Sequence, residues 1–424
     1  MMMRHSDALW CGRGLLRRML HKSKGLAIAS ALLVLPTQAS DAANDYWPAS
    51  LDAPWQTYMQ QSAKATQALE QALATELATA KRTEAIPATK AKNFGLESIQ
   101  NRQQLDAVLS YQTVLGGWSK RTDMRTVRQL AQLAGSEAAY IPTFDNGATS
   151  QQIRWLAAYY PSATPQEQAQ IATALQLGVR YLLSAQYPNG GFPQSYPLRG
   201  GYHDAVTLND QVLTELLRLM WDIGHAPQYQ WLDSSLRQQA RHGFERGMQW
   251  LVKAQVHIDG KRTVWAAQHH PLDATPVAAR KFEQVSLVST ESAAVLQLML
   301  DHATEQPGVI PALCAGARWL EQHAVRDKTW QRSATGSRLV EKAGAMTWAR
   351  FYSLEQQQPV FFDRDGKTYT RVEQLSLERQ RGYGWYQTDA KGFLKAWSKR
   401  PDLQQQCAVL TAPESKPDAM SAKH

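Results

Sequence analysis

The chain has 424 residues, and its 46 basic and 37 acidic side chains give a formal net charge of +9. Its 44% apolar and 20% charged residues are ordinary for a globular protein and exclude a disordered polyelectrolyte, while three cysteines are too few for a disulfide-built scaffold or a four-cysteine zinc site. The basic charge and the 14 tryptophans and 15 tyrosines suit an anionic polymer with rings, either a nucleic acid or an acidic polysaccharide.

The N-terminus has the pattern of an export signal. Basic residues between Arg17 and Lys24 precede an apolar run from Gly25 to Leu35, and small residues follow. The run has about half of the ~20 residues that a bilayer span needs, so a signal peptide over residues 1–43 is favoured over a membrane anchor. We expect a periplasmic or secreted protein with no stable membrane association.

Composition divides the rest of the chain into three parts. Residues 44–95 are rich in Ala, Gln, Lys and Glu, and they predict a helix over Gln56–Lys81 followed by a linker around Pro87. Residues 413–424 have the composition of a loose tail. We expect residues 96–412 to form the main domain.

A repeat organises the middle of the chain: a helix, a glutamine, a glycine turn and an aromatic residue. Its glutamines are Gln112, Gln186 and Gln255, so the copies are 74 and 69 residues apart, enough for two helices and a loop. Apolar stripes with helical spacing accompany each copy, and strand-like alternation is scarce. The pattern predicts a mostly helical α/α toroid, with long loops and a few short strands forming a groove, and leaves a plain helical solenoid as the alternative.

Two loops place acids and amides in front of predicted helices. Asp145 and Asn146 lie in the first loop, and Asp204, Asn209 and Asp210 lie in the second. Hard cations such as Ca²⁺ prefer carboxylate and carbonyl oxygens, so two such loops in adjacent repeats favour a shared metal site. Helix N-capping is the alternative reading of each loop.

Cationic and aromatic side chains follow the third copy of the repeat. Arg280 suits carboxylate recognition because its planar fork binds two oxygens at once, although a surface salt bridge is the alternative. The segments Trp348–Tyr352 and Arg379–Tyr386 combine arginines with rings that can stack on sugars or bases. For Trp348 the alternative is core packing on a helix.

Several common reaction schemes find no motif in the sequence. It contains no dinucleotide or phosphate-binding glycine loop, no nucleophile elbow, no His-Glu-x-x-His helix and no RNA-recognition or zinc-finger pattern. We therefore expect no nucleic-acid partner.

Taken in order, the motifs resemble those of the family 10 pectate lyases, which are polysaccharide lyases built on an α/α toroid. The matching stretches are Gly116–Met124, Asp145–Thr149, Leu182–Gln194, Gly201–Asp204, Leu208–Asp210, Val264–His269, Ala279–Glu283, Ser289–Ser292, Trp348–Tyr352 and Arg381–Tyr386. The resemblance implies cleavage of polygalacturonate by β-elimination with Ca²⁺. The chain departs from the family pattern at Ser119, Arg121 and the Gln-Val pair after Glu283.

The same resemblance implies the roles of individual residues. Asp145, with Asn146 beside it, corresponds to a calcium-binding acid. The second calcium-binding aspartate is Asp210 or Asp204, of which we favour Asp210, and we also count Asp210 as catalytic. Arg280 corresponds to the catalytic arginine.

Substrate contacts are expected from a wider set. Lys120 matches the lysine after the first Gly-Gly-Trp, and an arginine before the last Gly-Tyr binds substrate in the family, but the spacing here leaves its equivalent open. The predicted substrate-binding residues are Lys120, His269, Arg350, Arg379, Arg381 and Tyr383.

The expected reaction begins with loss of the C5 proton, which is α to the C6 carboxylate. Ca²⁺ between Asp145 and Asp210 would neutralise that carboxylate. Arg280 as the base meets an objection, because a guanidinium pKa exceeds ~12, so an orienting role stays open. The alternatives are a two-carboxylate glycoside hydrolase on a similar toroid and a non-catalytic pectin-oligomer binding protein. We expect a monomer whose partner is polygalacturonate or pectin oligosaccharide.

Overall fold

The computed structural model describes residues 46–84, 86, 91–120, 122–132 and 141–411. The predicted signal peptide, the tail at 413–424 and most of the linker around Pro87 lie outside these residues, so those predictions stay untested. Within the described ranges, no helix combines the length and apolar character needed to cross a bilayer.

Helices dominate the described structure. They are α1 (Ala53–Thr79), α2 (Arg102–Ser110), α3 (Ser150–Tyr159), α4 (Pro165–Ala185), α5 (Val212–His225), α6 (Ser234–Ala254), α7 (Ser289–His302), α8 (Val309–Gln322), α9 (Leu377–Gly382), α10 (Ala390–Trp397) and α11 (Pro401–Thr411). The helix predicted over Gln56–Lys81 is α1. It begins earlier than predicted because the Asp52 carboxylate accepts a hydrogen bond from the backbone N–H of Trp55.

The strands are short except in one hairpin. They are β1 (Val206–Thr207), β2 (His257–Ile258), β3 (Lys261–Arg262), β4 (Gln268–His269), β5 (Leu287–Val288), β6 (Val325–Gln331), β7 (Arg338–Ala349), β8 (Phe351–Tyr352), β9 (Phe361–Phe362), β10 (Thr368–Tyr369) and β11 (Tyr386–Gln387). All the named strands pair antiparallel, as β1–β4, β2–β3, β5–β8, β9–β10 and β6–β7–β11.

Eight of the helices after α2 pack in two rows. Helices α3, α5, α7 and α10 are neighbours in one row, and α4, α6, α8 and α11 are neighbours in the other. Chain-consecutive pairs α3–α4, α5–α6 and α7–α8 join the rows. The prediction of a mostly helical chain with a few short strands is confirmed, and closure of the rows into a ring stays a prediction.

The repeat glutamines have the same structural role in each copy. The Nε2 of each donates to a carbonyl of its own turn and to a carbonyl in a helix of the next repeat: Gln112 to Gly116 and Ala174, Gln186 to Gly190 and Gly243, and Gln255 to Thr263 and Ala312, at 2.8–3.0 Å. A buried amide needs such partners, so each bond pair ties a loop to the neighbouring helix. Because the same pair of hydrogen bonds recurs, the three loops lie at corresponding positions of successive repeats.

The first glycine of two of these turns is needed for close approach. Gly116 has φ +96°, and a Cβ there would lie 2.3 Å from the carbonyl oxygen of Leu177. Gly190 has φ +101°, and a Cβ would lie 2.3 Å from the carbonyl oxygen of Arg246. Only glycine lets the turn contact the next helix so closely.

Short backbone bridges join the loops side by side. Thr143 pairs with Ser195, Val206 of β1 pairs with His269 of β4, and Val288 of β5 pairs with Phe351 of β8. Each bridge connects loops from different repeats. The loops therefore form one continuous, hydrogen-bonded surface on which side chains from distant parts of the chain can meet.

The β6–β7 hairpin is the largest feature that the sequence pattern did not predict. Trp348 lies near the end of β7, so its assignment to a helix is wrong. The core packing proposed for it is present, because the ring is buried and its Nε1 donates to the Leu320 carbonyl at 2.7 Å. The first nine residues of β7 are exposed or half-buried, and its apolar residues follow no clean alternation, which removes the period-of-two signal.

A disulfide between Cys314 and Cys407 links α8 to α11 across 93 residues of sequence. We expect the Cys314→Ala/Cys407→Ala double variant to lose about 2 to 5 kcal/mol of unfolding free energy, because the crosslink limits the unfolded chain. Urea unfolding of the variant and of the reduced wild type should give the same loss, and equal stability of all three forms would contradict the expectation.

Candidate active site

The bridged loops bring cations and acids together in one region, here called the cleft, and a small pocket lined by residues that include Asn209 and Glu283 lies within it. The charged residues of the cleft are Lys120, Asp145, Arg199, Asp210, Arg280, Glu283, Glu291 and Arg350. The charges of Lys120, Asp145, Arg199 and Arg280 all act on the pKa of His203, and those of Arg350, Glu283 and Glu291 all act on the pKa of Tyr383. These residues come from four segments between helices and from the first turn of α7, so the fold rather than the local sequence assembles the cleft.

Asp145 and Lys120 form an ion pair at one side of the cleft. The Lys120 Nζ donates to the Asp145 carboxylate at 2.6 Å, and the Asp145 side chain is 10% exposed. Helix α3 begins at Ser150, where the sequence predicted a helix start, but its N-cap is Thr149 and has no side-chain cap bond. The N-cap alternative for Asp145 is therefore wrong. Asn146 beside it is exposed and has φ 55°.

Asp204 lies inside the loop rather than at the cleft surface. It is 2% exposed; one carboxylate oxygen accepts from the backbone N–H groups of Arg199 and Gly200 at 3.0 Å, and the other accepts from Trp47 Nε1 at 3.2 Å. Burial raises the pKa of this carboxyl, against hydrogen bonds that lower it. The structure opposes Asp204 as a metal ligand, because both oxygens already stabilise the loop.

Asp210 has the accessible carboxylate of the second loop. Its side chain is 49% exposed, it has φ 53°, and it lies 3.5 Å from the Arg350 guanidinium. Asn209 Nδ2 also donates to it at 3.0 Å. Helix α5 has Gln211 as its N-cap with no side-chain cap bond, so Asp210 does not cap it. The preference for Asp210 over Asp204 agrees with this exposure.

Arg350 is held by a buried carboxylate. Its Nη2 donates to Glu291 Oε1 and to Asn209 Oδ1, both at 2.9 Å, and its guanidinium carbon lies 4.9 Å from the centre of the Tyr383 ring. Burial lowers the pKa of Arg350, but the charges of Glu291, Tyr383 and Asp210 outweigh it, so the pKa is raised. Glu291, which is 2% exposed in the first turn of α7, was not predicted as a site residue. Its only indication in the sequence is its place within the matching stretch Ser289–Ser292.

Arg280 and Glu283 close a tight turn with two parallel hydrogen bonds. Arg280 Nε donates to Glu283 Oε2 at 2.7 Å, and its Nη2 donates to Glu283 Oε1. The Arg280 side chain is 46% exposed and lies over Phe282. Bonding to Glu283 raises the pKa of Arg280, against burial. Arg280 therefore does form the salt bridge that was the alternative prediction, but it forms it within the cleft.

The two arginines before the last Gly-Tyr have different environments. Arg379 is 4% exposed, its Nε donates to the Phe362 carbonyl at 3.3 Å, and its guanidinium lies over the rings of Tyr383 and Trp385. This burial opposes a direct substrate contact by Arg379. Arg381 is exposed, and Tyr383 is partly exposed between the Arg350 and Arg379 guanidiniums.

The prediction that His269 contacts substrate is contradicted. The residue is fully buried; its Nδ1 donates to the Ala274 carbonyl at 2.8 Å, and its Nε2 accepts from the Ala266 N–H at 3.2 Å. Burial lowers the pKa of His269 to about 4. Its sequence position next to a polar segment did not reveal that β4 turns the ring inward.

His269 should make stability depend on pH. Because its folded pKa is below the ordinary 6.5, the unfolded chain binds more protons between these values. We expect the contribution of His269 to the unfolding free energy to be fully present above pH about 6.5. Between that pH and pH 4 the unfolding free energy should fall by about 2 to 3 kcal/mol. Urea unfolding across this range should show a smaller slope for His269→Gln than for a His257→Gln variant, which changes an exposed ring.

His203 is a further cleft residue that sequence analysis did not assign. Its Nδ1 lies 2.7 Å from Gln194 Oε1, an atom that only accepts, so Nδ1 carries the proton and Nε2 keeps its lone pair. Burial lowers the pKa of His203 to about 4, helped by the neighbouring cations. The ring is therefore neutral near pH 7. Its position within Gly201–Asp204 was the only signal.

The donors of the cleft suit a hard cation. Asp145, Asn146 and Asp210 offer carboxylate and amide oxygens, which are the ligands that Ca²⁺ prefers. Among the described residues there is no group of three or more His, Cys, Asp or Glu side chains placed to hold a metal ion. The described side chains thus form a partial ligand set.

Comparisons with known proteins identify the family to which the chain belongs. The sequence model of the family described as "Pectic acid lyase" matches residues 112–394. A mutant of a family 10 polysaccharide lyase from Cellvibrio cellulosa, solved in complex with trigalacturonic acid, is 31% identical with a TM-score of 0.63, covering 70% of this chain and 92% of that one. A second structure of the lyase from this organism is 32% identical with the same TM-score, covering 70% and 91%. No curated protein sequence matches the chain.

Proposed function

Because the chain belongs to the pectic acid lyase family and is a pectate lyase, we propose that it is exported and cleaves polygalacturonate by calcium-assisted β-elimination to 4,5-unsaturated oligogalacturonates. The observation that carries this proposal is the set of cleft cations. Lys120, Arg280 and Arg350 each pair with a carboxylate of the protein. The carboxylates of a polymer that carries one on each sugar can replace the protein carboxylates as partners of these cations.

The two arginines act on the substrate carboxylates. The exposed Arg280 fork, now bonded to Glu283, can accept a galacturonate carboxylate in the same bidentate geometry. The hydrogen bond to Glu291 orients the Arg350 guanidinium before the substrate binds. Tyr383 offers a ring face beside it for a sugar.

The reaction removes the C5 proton, forms the C4–C5 double bond and breaks the bond between C4 and the glycosidic oxygen, which leaves with a proton. Negative charge grows on the C6 carboxylate when the C5 proton leaves. Cations already directed at that group stabilise the charge without rearranging. Arg280 is the catalytic arginine, either as the base or as the group that holds the carboxylate.

Calcium would be held by Asp145, Asn146 and Asp210, and when bound it would neutralise the substrate carboxylate as a Lewis acid. The Lys120 ammonium already contacts Asp145, which disfavours a second cation there. We therefore expect Ca²⁺ to bind weakly to the free protein and at least tenfold more tightly with trigalacturonate present. Calorimetric titration of Ca²⁺ with and without the trimer measures this, and equal affinities would contradict it.

The proposal also includes that the protein is exported, that its helix rows close into a toroid, and that it is a monomer. The disulfide between α8 and α11 supports export, since such bonds form in oxidising compartments. The two helix rows support a toroid, because each row continues from repeat to repeat.

The test of the proposed function is a product assay with purified protein and polygalacturonate. Ultraviolet absorbance from the unsaturated product should rise with Ca²⁺ and stop when a chelator is added. New reducing ends without that absorbance would indicate hydrolysis. Unchanged polymer length with retained binding would indicate a binding protein.

A further inference from the structure

A second cavity lies outside the cleft. It is enclosed by the β2–β3 hairpin, the C-terminal half of α8 and the turn at 356–357, and its volume is about 820 Å³. None of its lining residues belongs to the candidate active site. A cavity of this size is in the range of small-ligand sites, roughly 300–1,000 Å³.

Unpaired cations line this cavity. Lys261 and Arg318 are exposed, and neither has an ion-pair partner in the part of the chain that the structure describes. Arg262 adds a third positive charge, held in place by bonds from its Nη1 to the Val252 carbonyl and Gln255 Oε1. Asp259 is the one acid among the lining residues. The excess of positive charge suits an anion rather than a neutral molecule.

Amides complete the lining. Gln322 and Gln356 present side-chain amides that have no hydrogen-bond partner among the described residues, and Gln357 accepts from Trp319 Nε1 at 2.8 Å. Side-chain amides both donate and accept, which matches the hydroxyl groups of a sugar. Cations for carboxylates and amides for hydroxyls together describe a sugar acid.

We propose that this cavity is a second binding site for a stretch of polygalacturonate, remote from the cleft. The proposal rests on the proposed function for the identity of the polymer. A long chain that contacts both sites at once is held more tightly than by either site alone, because the second contact is intramolecular. The site would therefore keep the enzyme on the polymer between cuts.

The experiment compares two charge reversals in an Asp145→Ala background, in which turnover is blocked. The test variant is Lys261→Glu/Arg318→Glu. The control variant is Lys64→Glu/Lys395→Glu, which changes net charge equally at exposed lysines elsewhere. Calorimetry with trigalacturonate should show one fewer bound trimer for the test variant than for the control, and electrophoresis through polygalacturonate should show about tenfold weaker retention.

Equal stoichiometry and equal retention of the two variants would overturn the proposal. The proposal would also be overturned if the test variant lost as much retention in a dextran sulfate gel as in a polygalacturonate gel. The cavity would then respond to charge alone. A failure of the proposed function is distinguishable, because then the protein with Asp145 intact releases no unsaturated product. Circular dichroism of both variants checks that they are folded.

Discussion

Arg280→Ala is expected to lower kcat by about 10²- to 10³-fold with a smaller change in KM, because it removes a charge that stabilises the developing carbanion. A matched control is Arg364→Ala. The guanidinium carbons of Arg280 and Arg364 lie 4.7 and 4.4 Å from the centre of the same Phe282 ring, but Arg364 pairs with Glu378. Removal of Arg364 should change kcat by less than about threefold, as for other exposed ion pairs.

One further variant, Glu283→Gln, separates the possible roles of Arg280. Bonding to Glu283 raises the pKa of Arg280, so Glu283→Gln must lower it. If neutral Arg280 is the base, the alkaline rise in kcat moves to lower pH in Glu283→Gln. If Arg280 only orients the carboxylate, the rise keeps its position while kcat falls at every pH, because the guanidinium has lost its support.

Steady-state kinetics across pH, read from the unsaturated product, decide between these outcomes. Wild-type kcat in Arg280→Ala would remove Arg280 from the mechanism altogether. A loss of equal size in Arg364→Ala would show that packing on Phe282, rather than the Arg280 charge, is needed.

The helical architecture could be predicted from sequence because its signals are local. Apolar stripes indicated the helices, and Gln112, Gln186 and Gln255 marked turns whose bonds recur in each repeat. The β6–β7 hairpin could not be predicted in this way. It is held by cross-strand pairs and by Trp348, whose partner Leu320 is 28 residues away.

The candidate site was predicted only as far as motif positions allow. A motif gives residue types, but the direction of a side chain depends on contacts far along the chain. Asp204 is buried because Trp47, 157 residues earlier, donates to it, and His269 is buried because β4 pairs with β1. Glu291 was missed for the same reason, since its partner Arg350 lies 59 residues later.

The three aspartates of the two loops should therefore behave differently. Asp145→Asn is expected to lower kcat/KM at least 100-fold at the Ca²⁺ concentration that half-saturates the wild type, because a neutral amide is a weaker ligand for a hard cation. Asp210→Asn should act in the same direction. Asp204→Asn should instead lower the unfolding free energy by about 1 to 3 kcal/mol, since an amide hydrogen would then face donors at Trp47 or the backbone.

Two measurements on each variant make the contrast decisive: urea unfolding, and calorimetric titration of Ca²⁺ in the presence of trigalacturonate. Asp145→Asn should keep its stability within about 1 kcal/mol, because the amide oxygen can still accept the hydrogen bond from the Lys120 Nζ, and should lose Ca²⁺ affinity. Asp204→Asn should show the reverse. If Asp204→Asn lost Ca²⁺ affinity without losing stability, the ligand would be Asp204, and its bonds to Trp47 and the backbone would have to break on metal binding. If Asp145→Asn kept full affinity, the metal would lie elsewhere, and the carboxylate would serve only to hold Lys120.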